Sequence, residues 1–262
     1  MVLNSGQYEL ESDFKYVWSE NNKYGKEMIF ALLHETGNNA AEIACHFGPS
    51  DHPEVPGRWQ YYGVSLPFWR SYDKEDPRRE FFYYDYTGDA KRDDQSDYGF
   101  HYMVPEEGVT VVPNDTTKYM QNVATMKYTY DMISDAYYDG RTICIFRLSD
   151  VILCKAEIEN NLNGPAAALP YLNQIRARAG APEYGKHNRF PAPSTKEAMN
   201  DAILKERGYE LVFEFQRRAD LIRFGKYEEV VNAHLKKLGI AQPTNVTSSL
   251  RYFPYPLNDA QY

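Results

Sequence analysis

The chain has 262 residues, with 29 Lys and Arg against 37 Asp and Glu, a formal charge of −8, and is 43% hydrophobic and 25% charged. An acidic chain with no run of five or more basic residues lacks the clustered cations that phosphate neutralisation requires, which excludes an ordinary nucleic-acid binder. The hydrophobic content likewise excludes a disordered tail or a fibre, and the length is enough to bury a core.

Taken in chain order, the first half is punctuated by turn signals: Asn38-Asn39, Gly48-Pro49, Val55-Pro56-Gly57 and Thr87-Gly88-Asp89. Such spacing predicts short strands and long loops up to about residue 140, with strands at Met28 to Leu33 and at Val109 to Val112. Tyrosine dominates an aromatic fraction of 15%, and 16 of the 23 tyrosines precede residue 140, as do Trp18, Trp59 and Trp69. From there on the pattern turns helical. A helix is predicted over 145–162, stopped by Asn163-Gly164-Pro165, and a second over 165–179, stopped by Gly180-Ala181-Pro182. The two form a short-looped antiparallel pair. Ser194-Thr195-Lys196-Glu197 reads as a capping box with the serine as cap, followed by a long helix whose apolar stripe is Ile203, Leu204, Leu211, Val212 and Phe215. A further segment continues over 221–238, and the proline-rich stretch 251–257 reads as extended. The expected fold is mostly α, with a loop-rich region over 1–140 and a helical region over 141–262 in one compact unit.

Enzyme signatures are sparse. His34-Glu35 lacks the second histidine of a zinc-protease helix, and no G-x-S-x-G elbow, Gly-rich phosphate loop or G-x-G-x-x-G is present. Cys45, Cys144 and Cys154 give neither a zinc spacing nor a disulfide framework. Glu206, Glu210 and Glu214 share a helical face at spacing four, which suits paired carboxylates, but Arg207, Arg217, Arg218 and Arg223 offer ion pairing as the simpler role. Asp89, Asp93, Asp94 and Asp97 do not match a calcium loop and read as a solvated acidic segment. The sequence thus calls for no cofactor and no metal. The stretch from His52 to Trp69 places Trp59, Tyr61, Tyr62 and Trp69 among prolines and glycines. Loops display their side chains, and exposed rings beside Arg58 and Asn38 suit a sugar, whose C–H face stacks on a ring while its hydroxyls take hydrogen bonds.

Ile145-Phe146-Arg147-Leu148-Ser149-Asp150 and the run from Ala168 to Gly180 resemble the SusD/RagB family of outer-membrane nutrient-binding proteins. Glu206-Arg207 followed by Glu210-Leu211-Val212-Phe213-Glu214 is similar to that family's E-R-x-x-E-L-x-F-E helix, and Arg218 to Gly225 to the D-L-x-R-x-G of its continuation. Asp76-Pro77-Arg78 resembles its D-P-R element. The resemblance implies tetratricopeptide-like helix pairs with an irregular region holding short strands. It further implies a non-catalytic, lipid-anchored receptor that captures oligosaccharides at the cell surface of a Bacteroidetes cell, for a SusC-like TonB-dependent transporter. Members are about twice as long, so the chain is expected to be a C-terminal portion. The expected ligand contacts are Trp59, Tyr61, Tyr62, Trp69, Arg58 and Asn38. The rival expectations are a glycan-active carboxylate enzyme and a helical protein-binding scaffold.

Overall fold

A computed structural model describes residues 2–35, 42–55, 58–88, 99–108, 117–131, 140–237 and 246–251. The expected strand at Val109, the acidic segment at Asp89 to Asp97 and the extended stretch after Arg251 lie outside these residues.

The described strands are short and the described helices lie mostly in the second half. The elements are, in order, β1 (Met28–Leu32), α1 (Ile43–Phe47), β2 (Val64–Ser65), α2 (Leu66–Arg70), β3 (Phe82–Tyr83), β4 (Asp85–Thr87), β5 (His101–Met103), β6 (Thr117–Tyr119), β7 (Asn122–Thr125) and β8 (Ile143–Arg147). Five helices follow: α3 (Leu148–Asn163), α4 (Pro165–Arg178), α5 (Lys196–Glu210), α6 (Arg217–Arg223) and α7 (Tyr227–Lys237). The strands make three small sheets, β1 with β8, β2-β7-β3, and β4-β5-β6, antiparallel except for the β5–β6 pair.

Helices α3 and α4 form the tetratricopeptide-like pair. Leu148, Ile152 and Ala156 recur at spacing four on α3, Ala168, Leu172 and Ile175 do so at four and three on α4, and Met199 and Ile203 of α5 close the cluster. Their facing stripes exclude water, and this burial supplies most of the helices' stability. The turn between α3 and α4 needs Gly164 at φ +89° and starts the next helix on Pro165.

Three local expectations shift. Residues 145–147 are strand and not helix: β8 pairs with β1, Met28 opposite Arg147, so the helix begins only at Leu148. The cap of α5 is Thr195, whose hydroxyl accepts from Ala198 N at 3.1 Å, one residue after the expected serine. The long helix stops at Glu210 because side chains take its carbonyl. Lys127 Nζ donates to Glu210 O at 2.9 Å and Arg147 Nη2 at 2.8 Å, while Glu214 N donates to Leu211 O instead. Phe213 and Phe215 then adopt left-handed backbone at φ 60° and 65°, which turns the chain into α6.

Gly180 caps α4 at φ +72°, with a position for Cβ only 3.2 Å from Pro77 Cγ. Gly180→Val therefore meets both a disfavoured backbone and a close neighbour, and is expected to cost about 1–3 kcal/mol. A thermal melt of the purified variant checks this; an unchanged midpoint would refute the cap's role.

Candidate binding site

The sequence nominates two places among the described residues, the glutamate row and the aromatic loop. The glutamates are closed off. Glu206, Glu210 and Glu214 are 1%, 0% and 3% exposed. Their partners are not the neighbouring arginines expected from helical spacing. Arg78 reaches Glu206 at 2.6 Å and Glu210 at 3.0 Å, and Arg176 reaches Glu206 at 2.7 Å. Arg147 bridges Glu27 at 2.5 Å, Glu210 at 2.7 Å and Glu214 at 2.7 Å. Lys127 holds Glu214 at 2.6 Å, Asp76 pairs with Arg78 at 2.7 Å, and Arg178 pairs with Glu27 at 2.7 Å and with Glu210. Lys127, Arg78, Arg147, Arg176 and Arg178 thus balance Glu27, Asp76, Glu206, Glu210 and Glu214 one for one, with every side chain at most 5% exposed. Opposed to burial, the surrounding Arg178, Arg147 and Arg78 hold Glu210 well below the usual carboxylate range. Burial pulls the Lys127 amine down to about 8. Carboxylates locked in this way face no cleft, so they offer neither a glycosidase pair nor a metal site.

The aromatic loop is open to solvent and firmly held. Trp59 N donates to Cys45 O at 2.7 Å, Gln60 N to Gly48 O at 3.0 Å and Tyr62 N to His46 O at 3.1 Å, so residues 59–62 are fastened to the carbonyls at the end of α1. Gln60, at φ 48°, turns the chain between the two rings that flank it. Trp59, Tyr61 and Tyr62 are 38%, 66% and 55% exposed. The Trp59 and Tyr61 ring centres lie 5.5 Å apart with planes tilted by 34°. His46 sits against all three, at 5.2, 5.5 and 6.1 Å, and Glu42 lies 3.9 Å from its Nε2. Below the loop, His52 is buried against Tyr83 and Tyr86, and its pKa is lowered from the ordinary value mainly by that burial.

Two of the expected contact residues do not join this surface. Trp69 is 4% exposed on α2: its Nε1 donates to Arg79 O at 3.2 Å and the Arg79 guanidinium lies 3.9 Å over its ring. Arg58, at 1% exposed, points inward towards Cys45 Sγ at 3.5 Å. Asn38 lies outside the described residues. His46 was not picked out from sequence; its single signal is the glutamate four residues earlier, the residue that precedes α1, one helical turn away.

Beside the loop, sharing His46 and Tyr62 with it, opens a cavity of about 990 Å³ between α1, α2, the turn after α5, and α7.

The SusD family model matches residues 26–258. A SusD-like protein of Formosa agariphila is 27% identical over 79% of this chain and 41% of its own length. The starch-binding protein SusD of Bacteroides thetaiotaomicron is 28% identical over 48% of the chain and 21% of its length. Among solved structures, surface glycan-binding protein A of Bacteroides thetaiotaomicron, in complex with laminarihexaose, superposes over 99% of this chain and 55% of its own, with a TM-score of 0.69 at 21% identity. That likeness is one of fold. The chain thus spans half or less of these two curated relatives and about half of that structure.

Proposed function

Since this chain belongs to the SusD family, we propose that it binds oligosaccharides at the cell surface, without catalysis, on Trp59, Tyr61 and Tyr62, and passes them to a SusC-like outer-membrane transporter. The observation that carries the reading is three exposed rings in one loop, fastened by backbone hydrogen bonds to a helix end. Rings held in place lose little freedom on binding, so stacking on sugar faces is not spent on ordering the protein. Affinity should be modest, because a flexible glycan itself must be ordered. Glycan ligands in the names of a structural neighbour and of the starch-binding relative support this choice of substrate class.

The test is isothermal titration calorimetry with laminarin, starch and other plant, host and microbial oligosaccharides. One class should bind saturably, and Trp59→Ala should weaken it by at least about tenfold, on the scale of an aromatic anchor. Trp69→Phe, a core change, should lower stability and leave affinity intact. A folded protein silent to every glycan, or an unchanged affinity in Trp59→Ala, would sink the proposal.

A further inference from the structure

The cavity beside the aromatic loop has a character that glycan capture does not explain. Its walls are mainly apolar, Ile43, Phe47, Phe68, Val212, Phe213 and Val231 among them, and suit hydrocarbon; Glu42, His46 and His234 lie along them as well, and Arg217 and Arg218 give the lining more cations than carboxylates. Its size lies at the upper end of the roughly 300–1,000 Å³ of small-molecule sites.

One wall residue, Arg217, is a cation with no anion beside it among the described residues. Arg217 lies over Gly208, where a Cβ would come within 2.9 Å of its Nη1, so the glycine makes room for the guanidinium. Nη1 donates to Leu204 O at 2.8 Å, the one hydrogen bond of this side chain among the described residues. No carboxylate there lies within ion-pair distance of it. Asp220, the nearest acidic influence, is already held by Arg207 at 2.8 Å and Arg223 at 3.0 Å. The contrast with Arg78 and Arg147, each surrounded by carboxylates, is physical: burial pulls Arg217 below its ordinary value, whereas theirs is raised. A guanidinium keeps its proton and so keeps calling for an anion, most strongly in apolar surroundings.

We propose that this cavity binds an amphiphile with a carboxylate head, the head paired with Arg217 and the acyl tail lying along Val212, Phe213 and Val231. Guanidinium and carboxylate match in charge and in fork geometry. The tail removes apolar wall from water, which supplies the affinity, while the head fixes the orientation. This site adjoins the proposed glycan surface at Tyr62 and His46, but neither Trp59 nor Tyr61 lines it, so Trp59→Ala should leave dodecanoate binding intact and separates the two readings.

Titration calorimetry and native mass spectrometry with sodium dodecanoate, below its micelle concentration, test the proposal. One dodecanoate should bind per chain. Dodecyltrimethylammonium, with the same tail and the opposite charge, should bind at least tenfold more weakly, and acetate should not bind. Arg217→Gln should weaken dodecanoate at least tenfold, Arg217→Lys, which keeps the charge without the fork, should weaken it less than Arg217→Gln, and Val231→Trp should abolish binding by filling the space, with melting curves confirming that each variant is folded. Absence of dodecanoate binding, equal binding of the cationic amphiphile, or an unchanged affinity in folded Arg217→Gln would overturn it. A concentration-dependent dimer dissolved by Val231→Trp would overturn it too, assigning the cavity to a second copy of the chain.

Discussion

Arg147→Met should cost the fold about 3–5 kcal/mol, the range for removing one partner of a buried ion pair. Arg147 is fully buried and bonds three glutamates from three segments: Glu27 before β1, Glu210 at the end of α5, and Glu214 in the turn beyond it. Methionine replaces the aliphatic stem and keeps the site apolar, but the guanidinium goes, and with it the charge, its hydrogen-bond donors and part of the volume. The five buried carboxylates are then left with four cations, Lys127, Arg78, Arg176 and Arg178, and the Glu210 carbonyl loses a donor. For a chain of this size that corresponds to a fall in melting temperature on the order of 10 °C. Arg189, exposed and paired with Glu75 and Asp73, supplies the comparison, because solvent screens such pairs. Its alanine variant should leave the midpoint within about one or two degrees. Urea unfolding of both variants decides the matter; a loss in Arg147→Met as small as that in Arg189→Ala would show that the cluster contributes little.

The same cluster should make the fold acid-labile. Glu210 and Glu214 are held below the usual carboxylate range by Arg147 and other cations around them, against the effect of burial. A carboxylate depressed in the folded state stabilises the fold above its unfolded pKa of about 4.5 and loses that contribution as pH falls. Below that point the unfolded chain holds two more protons than the folded one, so stability should drop by up to about 2.7 kcal/mol per pH unit from these two groups alone. Lys127 acts at the other end. Its folded value of about 8 lies below the ordinary lysine value, so between there and about 10.5 the folded chain holds fewer protons and this group adds stability as pH rises. Melting temperature across pH 3 to 10 should therefore fall steeply on the acid side, with no decline on the alkaline side from Lys127. A flat acid limb would contradict the assignment.

How much of this was readable in advance depends on where each residue's partners lie. The α3–α4 pair was legible because its determinants are local: three-and-four apolar spacing, and a glycine followed by a proline between two stripes. The family resemblance rested on the same segments. The glutamate row was legible as ion-paired but with the wrong partners, since helical spacing can nominate only neighbours, while Arg78 and Arg147 arrive from 128 and 63 residues away. The end of α5 was missed for the same reason: nothing within 211–216 forbids helix, and the competitors for the Glu210 carbonyl are distant side chains. Trp59 and Trp69 looked alike in a stretch of prolines and glycines. Ser65 before Leu66-Pro67 is a helix start, however, with its hydroxyl accepting from Phe68 N at 3.4 Å, and a one-turn helix carries Trp69 inward under Arg79. The exposed rings stayed legible because no helix or strand periodicity claimed them.

The balanced charge cluster also bears on how the chain reaches its structure. Its bonds join residues separated by 63 to 151 positions, from Glu27 to Glu214, apart from the local links within 76–78 and 176–210. None of these charges can leave water profitably until its distant counterparts have arrived. During synthesis, a ribosome must therefore extrude everything through Glu214 before the centre of the molecule can close, and the half-made chain keeps a hydrated, ionic middle. Long-range closure of this kind slows folding. It also withholds a finished core from partial chains, so that the strands before α3 are locked in place only once the last glutamate has arrived.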